Sequence, residues 1–282
     1  MIAYLNEQFA PADSLFISPD DRGFLFADGV YEVILLVKQA LFHLDDHLAR
    51  LDGNLQALKI AAPKGLEEIC RKLVDVNQPA SDYSTLYIQV TRGAAPRNHR
   101  FPERSVQPTV YAKLSPITRA EAEISGCKVV LVDDIRWGRC DIKTTNLLAN
   151  VLAVQQAADA GADEAVFVRE GSITEGAHTN FAAVFDGALY THPLDHRILP
   201  GITRGIVMGL CQELGIPVRE EAIRSADLST AAECMLFGTT KIITPVIQVD
   251  EAPIADGRPG RITQVLQQSF EQLLLKTAED ER

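Results

Sequence analysis

Lys143, in the stretch RCDIKTTNLLAN, stands between a strand-like run, KVVLVDDIRW, and a helix-like run, NLLANVLAVQQAADA. A lysine just ahead of a helix feels the positive end of the dipole, and the apolar neighbours Ile142, Leu147 and Leu148 would desolvate it. Both effects disfavour the ammonium, and a neutral amine is what Schiff-base chemistry with an aldehyde requires. The ordinary alternative is a side chain that snorkels to solvent. Glu175, in SITEGAHTN, falls on a strand or strand end. Its carboxylate could accept a hydrogen bond from a protonated ring nitrogen, or simply occupy an edge. Gly201, Ile202 and Thr203 open a helix, where backbone N–H groups and a hydroxyl converge as an anion site, unless Thr203 is only a cap. Gly238, Thr239 and Thr240, between two strands, offer close backbone approach and hydroxyl donors, or just a tight hairpin. Arg50 follows His47 by three residues on one helix face, and is either a bidentate phosphate ligand or a solvated charge. Each signal is weak alone. Together they supply an amine, a ring-nitrogen partner and several phosphate ligands, the set that pyridoxal phosphate needs.

The elements that must position these groups can be read from periodicity and turn chemistry. YLN and QFA flank an Asn6-Glu7 turn, and GVYEVILLV (29–37) is a long strand that returns antiparallel as ALFHL after Lys38-Gln39. Asp45 or Asp46 is expected to cap a helix with Leu48, Leu51, Leu55 and Leu58 on its apolar face. GLEEICRKLVDV is a second helix. STLYIQVTRG and PTVYAKL are strands on either side of a basic loop, AAPRNHRFPERSVQ. Beyond the polar stretch 115–126, KVVLVDDIRW is a strand and residues 146–160 are a helix. A meander then turns at Glu170-Gly171 and Asp186-Gly187. GITRGIVMGLCQELG is a helix, two strands surround Gly238-Thr240, and RITQVLQQSFEQLLLK closes the chain as an amphipathic helix. This predicts an N-terminal α/β domain over 1–117, a linker over 118–126 and a larger domain over 127–282.

Bulk properties exclude several classes of function. With 282 residues, 46% of them apolar, the chain suits two α/β domains or one large one. A net charge of −11 argues against nucleic acid and anionic membrane as partners. Apolar runs such as VILLV are too short to span a bilayer, and the start, MIAYLNEQFA, does not read as a signal peptide. Five scattered cysteines with no Cys/His cluster predict a reduced, cytoplasmic protein without a metal site.

Taken together, DRGFLFADGVYEV, the helix carrying Arg50, DIRWGRCDIKTTNLL, ITEGAHTNFA, ILPGITR and TTKIITPV resemble, in order, the fold-type IV pyridoxal-phosphate enzymes. The likeness covers nearly the whole chain. It implies an α/β fold of α+β type, in two domains with the cofactor in the cleft between them. Lys143 would carry the cofactor as a Schiff base, and Glu175 would pair with the pyridine nitrogen. Arg50, Ile202, Thr203 and Thr239 would hold the phosphate, Leu199 would pack near the ring, and Arg136 would lie close by. Within the family, TRGAAPRNHRFP is most similar to the aminotransferases that act on D-amino acids. There an Arg-x-His pair, here Arg97 and His99, traps the substrate carboxylate together with the tyrosine at position 31. That pair reaches the neighbouring subunit's site, which implies a homodimer. The resemblance thus implies ping-pong transfer from a D-amino acid of the alanine type to a 2-oxo acid. A branched-chain L-aminotransferase, an aminodeoxychorismate lyase and a non-catalytic cofactor-binding protein are the rivals. Ala177, His178 and Thr179 stand where relatives carry a serine run, and Gly238 stands where serine can supply a phosphate hydroxyl.

Overall fold

The computed structural model describes residues 1–118 and 125–280. Two units are compact by their internal contacts. The first takes in Met1–Thr118, Ile142–Leu147 and residues 276–280, and the second residues 125–141 and Leu148–Leu275. Of the expected linker, residues 119–124 lie outside the described residues.

The first unit is built on β1 (Ile2–Leu5), β2 (Gln8–Pro11), β3 (Gly29–Val37), β4 (Ala40–Leu41), β5 (Tyr83–Thr91) and β6 (Thr109–Pro116). They form one antiparallel sheet in the order β2-β1-β6-β5-β3-β4. Asn6 and Glu7 both take positive φ, the twist a two-residue hairpin needs. The β-branched and leucine-rich β3 pairs with β5 from Gly29↔Thr91 to Val37↔Tyr83, and most of it is buried. Helices α1 (Arg22–Phe26), α2 (Leu44–Leu58) and α3 (Leu66–Asn77) complete the unit. Leu44, Leu51 and Leu55 of α2 and Cys70, Leu73 and Val74 of α3 pack with Ile34, Leu36, Leu86, Ile88 and Ala112 of the sheet. Neither Asp45 nor Asp46 caps α2. The helix starts at Leu44 from His43 in the left-handed conformation, and Asp46 instead bonds His43 Nδ1 at 2.6 Å.

The second unit contains β7 (Cys127–Asp133), α4 (Leu148–Asp159), β8 (Glu164–Arg169), β9 (Ser172–Gly176), β10 (Asn180–Phe185), β11 (Ala188–Thr191), α5 (Ile202–Glu213), β12 (Val218–Glu220), β13 (Glu233–Gly238), β14 (Ile242–Val249), β15 (Ala252–Pro253) and α6 (Arg261–Asp280), the last running beyond Leu275. Strands β10-β13-β14-β7-β8-β9 follow one another, and the Asn180↔Glu175 pairing closes them into a ring. Closure removes sheet edges and fixes the register of the residues at the seam. The parallel pair β7 and β8 is joined through α4, as a crossover connection requires. Val166, Ile173, Phe181, Leu236 and Val246 fill the interior. No helix among the described residues is long and apolar enough to cross a membrane.

Three expectations need correction. Strand β7 ends at Asp133 rather than running to Trp137, because Asp134 and Arg136 turn out of the ladder into an ionic cluster. Helix α4 starts at Leu148, five positions beyond Lys143, so Lys143 does not sit at its first turn. Lys143 was also expected with the second domain, but its segment belongs with the first unit. The backbone explains why. Tyr31 N–H donates to Lys143 O at 3.0 Å, Thr145 N–H donates to Gly29 O at 3.0 Å, and Val30 bridges Thr144.

Candidate active site

In the first unit the start of β3 sends alternate side chains to opposite faces, so neighbouring residues take different tasks. Tyr31 meets Lys143. Its Oη lies 3.4 Å from Lys143 Nζ, and the amine stands 4.4 Å from the ring centroid. The threonines after the lysine fix the segment, with Thr144 Oγ1 donating to Gly29 O at 3.0 Å and Thr145 Oγ1 to Ala27 O at 2.9 Å.

Glu32 points the other way and its side chain is wholly enclosed. Arg50 Nε donates to Oε1 at 2.7 Å and Arg50 Nη2 to Oε2 at 2.8 Å, a bidentate clamp. His47 Nδ1 lies 2.7 Å from Oε2. Burial opposes ionisation of Glu32, but the hydrogen bonds from Arg50 and His47, with the charges of Arg50 and Lys143, outweigh it and hold the carboxyl down at about 2. For His47, burial wins over the bond to Glu32, aided by the charges of Arg50 and Lys143, and moves the ring below its ordinary value. A neutral ring must then donate through Nδ1, since an ionised carboxylate only accepts.

Arg97 and His99 lie elsewhere in this unit, on the irregular loop between β5 and β6, and both are exposed. They gather around Phe26 of α1. The Arg97 guanidinium is 5.3 Å from its ring centroid, and the His99 ring is 5.4 Å away.

The second unit holds Glu175 at the seam of its strand ring, where the side chain is buried. Arg136 Nη1 donates to Oε1 at 2.6 Å, while Leu199 N–H at 2.9 Å and Asn180 Nδ2 at 3.1 Å donate to Oε2. Arg136 is itself fixed by Asp134, through Nε to Oδ1 and Nη2 to Oδ2, both at 2.9 Å, and lies over Phe167 at 4.2 Å. Burial alone would weaken its hold on the proton, but Asp134 and Glu175 push it above the ordinary guanidinium value. Leu199 therefore contributes a backbone donor to Glu175. Asn180 also donates to Leu199 O at 2.9 Å, and its side chain leaves no room for a Cβ at Gly201.

Gly201 is the N-cap of α5 and makes no side-chain cap, so Thr203 is not the capping residue. The first N–H groups of α5 thus lack an intrahelical acceptor and a capping oxygen, which is the condition for binding an anion. Ile202 is half-buried and Thr203 buried in that first turn. Thr239 and Thr240 are half-buried in the turn between β13 and β14.

Sequence reading missed Glu32, His47, Asp134 and Asn180 as supports. A carboxylate inside the apolar run VYEVILL and a D-x-R spacing at 134–136 were the available signals. They show that something is paired, without showing the partner.

Pyridoxal phosphate fits this donor set. The cofactor carries an aldehyde, a basic ring nitrogen and a dianion, and the chain offers an amine, a carboxylate held by three donors and a helix start with no cap. The comparisons agree. Residues 29–249 match the family model for amino-transferase class IV. D-alanine aminotransferase of Staphylococcus aureus strain N315 is 39% identical over 275 residues, covering 96% of this chain and 97% of that protein. D-alanine aminotransferase of Bacillus licheniformis is 40% identical over 279 residues, covering 98% of each. Among solved structures, the branched-chain amino acid aminotransferase of Escherichia coli superposes with a TM-score of 0.90 at 24% identity, over 97% of this chain and 94% of that one. This chain belongs to the class IV aminotransferase family. It is a pyridoxal-phosphate-dependent aminotransferase.

Proposed function

We propose that this enzyme moves the amino group of a D-amino acid of the alanine type to a 2-oxo acid of the 2-oxoglutarate type. The observation that carries the reading is the Lys143 amine held 3.4 Å from the Tyr31 hydroxyl, on a chain alike over 96% of its length to a D-alanine aminotransferase. Bound pyridoxal phosphate supplies an aldehyde that captures amines and a ring that accepts electrons from Cα. Lys143 Nζ would hold the aldehyde, and as a free amine would take the proton from Cα as general base. Glu175, pinned by Arg136, Asn180 and the Leu199 N–H, would pair with the pyridine nitrogen. Arg50, steered by Glu32, would hold the phosphate with Thr239, the Ile202 N–H and Thr203, and Leu199 would lie near the ring.

Tyr31, Arg97 and His99 bind the substrate carboxylate. Arg97 and His99 serve the neighbouring subunit, so the working form is a homodimer. Fixing the carboxylate while Cα–H faces Lys143 decides which hand of substrate fits, and a cationic trap at that position selects D. We further propose that the 118–126 stretch is the linker at which the chain first leaves the N-terminal domain, to which the Lys143 segment returns. An assay of D-alanine, L-alanine and L-leucine, each against 2-oxoglutarate, tests the reading. D-alanine should yield pyruvate and glutamate in alternating half-reactions. Turnover of L-leucine with none of D-alanine would place the enzyme with its branched-chain fold neighbours.

A further inference from the structure

Arg97 and His99 sit on an exposed loop, residues 94–108, that lacks helix or strand. A free loop of that length samples many conformations, and a trap for a carboxylate requires one. We propose that Arg22, clamped by Asp28, is the positioning residue that sets this loop for substrate binding; the inference rests on the carboxylate role of Arg97 and His99.

Arg22 opens α1, yet only 4% of its side chain is exposed. Its Nη1 donates to Asn98 O at 2.6 Å and to Arg100 O at 3.4 Å, the carbonyls on either side of His99. Its guanidinium carbon lies 4.8 Å from the Phe26 ring around which Arg97 and His99 gather. Nε donates to Asp28 Oδ2 at 2.8 Å. Asp28 in turn takes Arg92 through Nε at 2.8 Å and Nη2 at 2.9 Å. Arg92 donates to Leu58 O and Lys59 O, both at 2.8 Å, at the C-terminal end of the helix that carries His47 and Arg50. Asp28 therefore ties the loop to the rigid part of the unit. Burial works against its charge, but Arg92 and Arg22 outweigh burial and keep its carboxyl below the ordinary range. A buried guanidinium spent on two carbonyls flanking one histidine is well suited to fix where that histidine points. Lysine cannot replace it, because one ammonium does not span Asp28 and the loop at once.

The test uses the holoenzyme with Arg22→Lys, Arg97→Ala and the double variant. It reads KM and kcat for D-alanine and the dissociation constant of propionate, the substrate without its amine, by calorimetry. Arg22→Lys should raise KM and the propionate constant about fivefold or more, with kcat held within about twofold and cofactor affinity unchanged. Placed on Arg97→Ala, the same change should add less than it does in the wild type, since the trap it sets has already lost Arg97 and keeps only His99 on the loop. If Arg97→Ala weakens propionate and Arg22→Lys does not, the clamp is refuted while the carboxylate reading stands. If Arg97→Ala changes neither quantity, the carboxylate reading falls and the clamp with it. An equal effect in both backgrounds would show Arg22 acting independently of the trap and overturn the inference. Should Arg22→Lys fail to fold, Asp28→Asn, which keeps the shape and removes the charge that holds Arg22, must give the same rise in KM without loss of kcat; a parallel fall in both would refute the inference.

Discussion

Replacing Glu32 by glutamine keeps the side chain's shape and removes the charge that Arg50 and His47 share. The cost can be worked from the site. Glu32 ionises at about 2 against an ordinary 4.5, and at about 1.4 kcal/mol per pH unit that corresponds to about 3 kcal/mol of stability. Removing one member of a buried pair costs about 3–5 kcal/mol for an independent reason, because the other charge is left uncompensated. The two routes agree in size. The group's folded pKa is depressed, so its contribution is fully present above about pH 4.5 and is lost as pH falls toward about 2. Urea denaturation of wild type and Glu32→Gln should therefore differ by about 3 kcal/mol at pH 7. The difference should narrow below pH 4.5 for as long as the wild type remains folded. Arg50 also loses the bidentate partner that orients it, so pyridoxal phosphate should bind at least about tenfold more weakly. A variant that melts with the wild type and binds cofactor as tightly would refute the reasoning that Glu32 exists to hold Arg50.

Other expectations concern the chemistry directly. Lys143→Ala should abolish turnover, and borohydride should fix the cofactor covalently to the wild-type chain and not to the variant; mass spectrometry of the denatured protein reads this. Arg97→Ala should cost about 1.5–3 kcal/mol in kcat/KM for D-alanine, mostly through KM, if it grips the carboxylate in a desolvated site. Mixing Lys143→Ala and Arg97→Ala protomers should restore about a quarter of wild-type activity if the loop serves the partner's site, since half the dimers are mixed and each has one complete site. No recovery after verified subunit exchange would assign the loop to its own subunit.

Much of the architecture was legible because it is local. GVYEVILLV has the β-branched density of a central strand, and Glu170-Gly171 and Asp186-Gly187 carry the residues that positive φ demands. What failed was decided at long range. Lys143 reads as a helix-start residue when only its neighbours are considered, yet bonds to Gly29 and Tyr31, more than a hundred positions away, fix its segment. KVVLVDDIRW is strand-like throughout, but Arg136 gains more from Asp134 and Glu175 than the ladder offers. The pairing β11 with β12 escaped notice because VRE is too short to show a period.

The supports of the candidate site follow one rule that the sequence does not display. Each unit contains a buried arginine–carboxylate pair, Arg50 with Glu32 and Arg136 with Glu175, and under the proposed function one member of each pair is the tool and the other its holder. The neighbours tell them apart. Glu32 is engaged by Arg50 and His47 within its own unit, which suits it to hold Arg50 in place. In the other pair the arginine is saturated. Asp134 takes two of its nitrogens, and Arg136 is thereby a fixed cation whose remaining strong bond steadies Glu175. The same two residue types thus exchange roles, and in each pair the holder is itself engaged by another titratable side chain, Glu32 by His47 and Arg136 by Asp134. A second carboxylate two positions before Arg136 and a histidine three before Arg50 are the residues that make the difference. Exchanging Asp134 for asparagine should accordingly weaken the grip on Glu175 without touching it, and so lower kcat more than it raises KM. An effect on KM alone would mean that Arg136 is itself the tool.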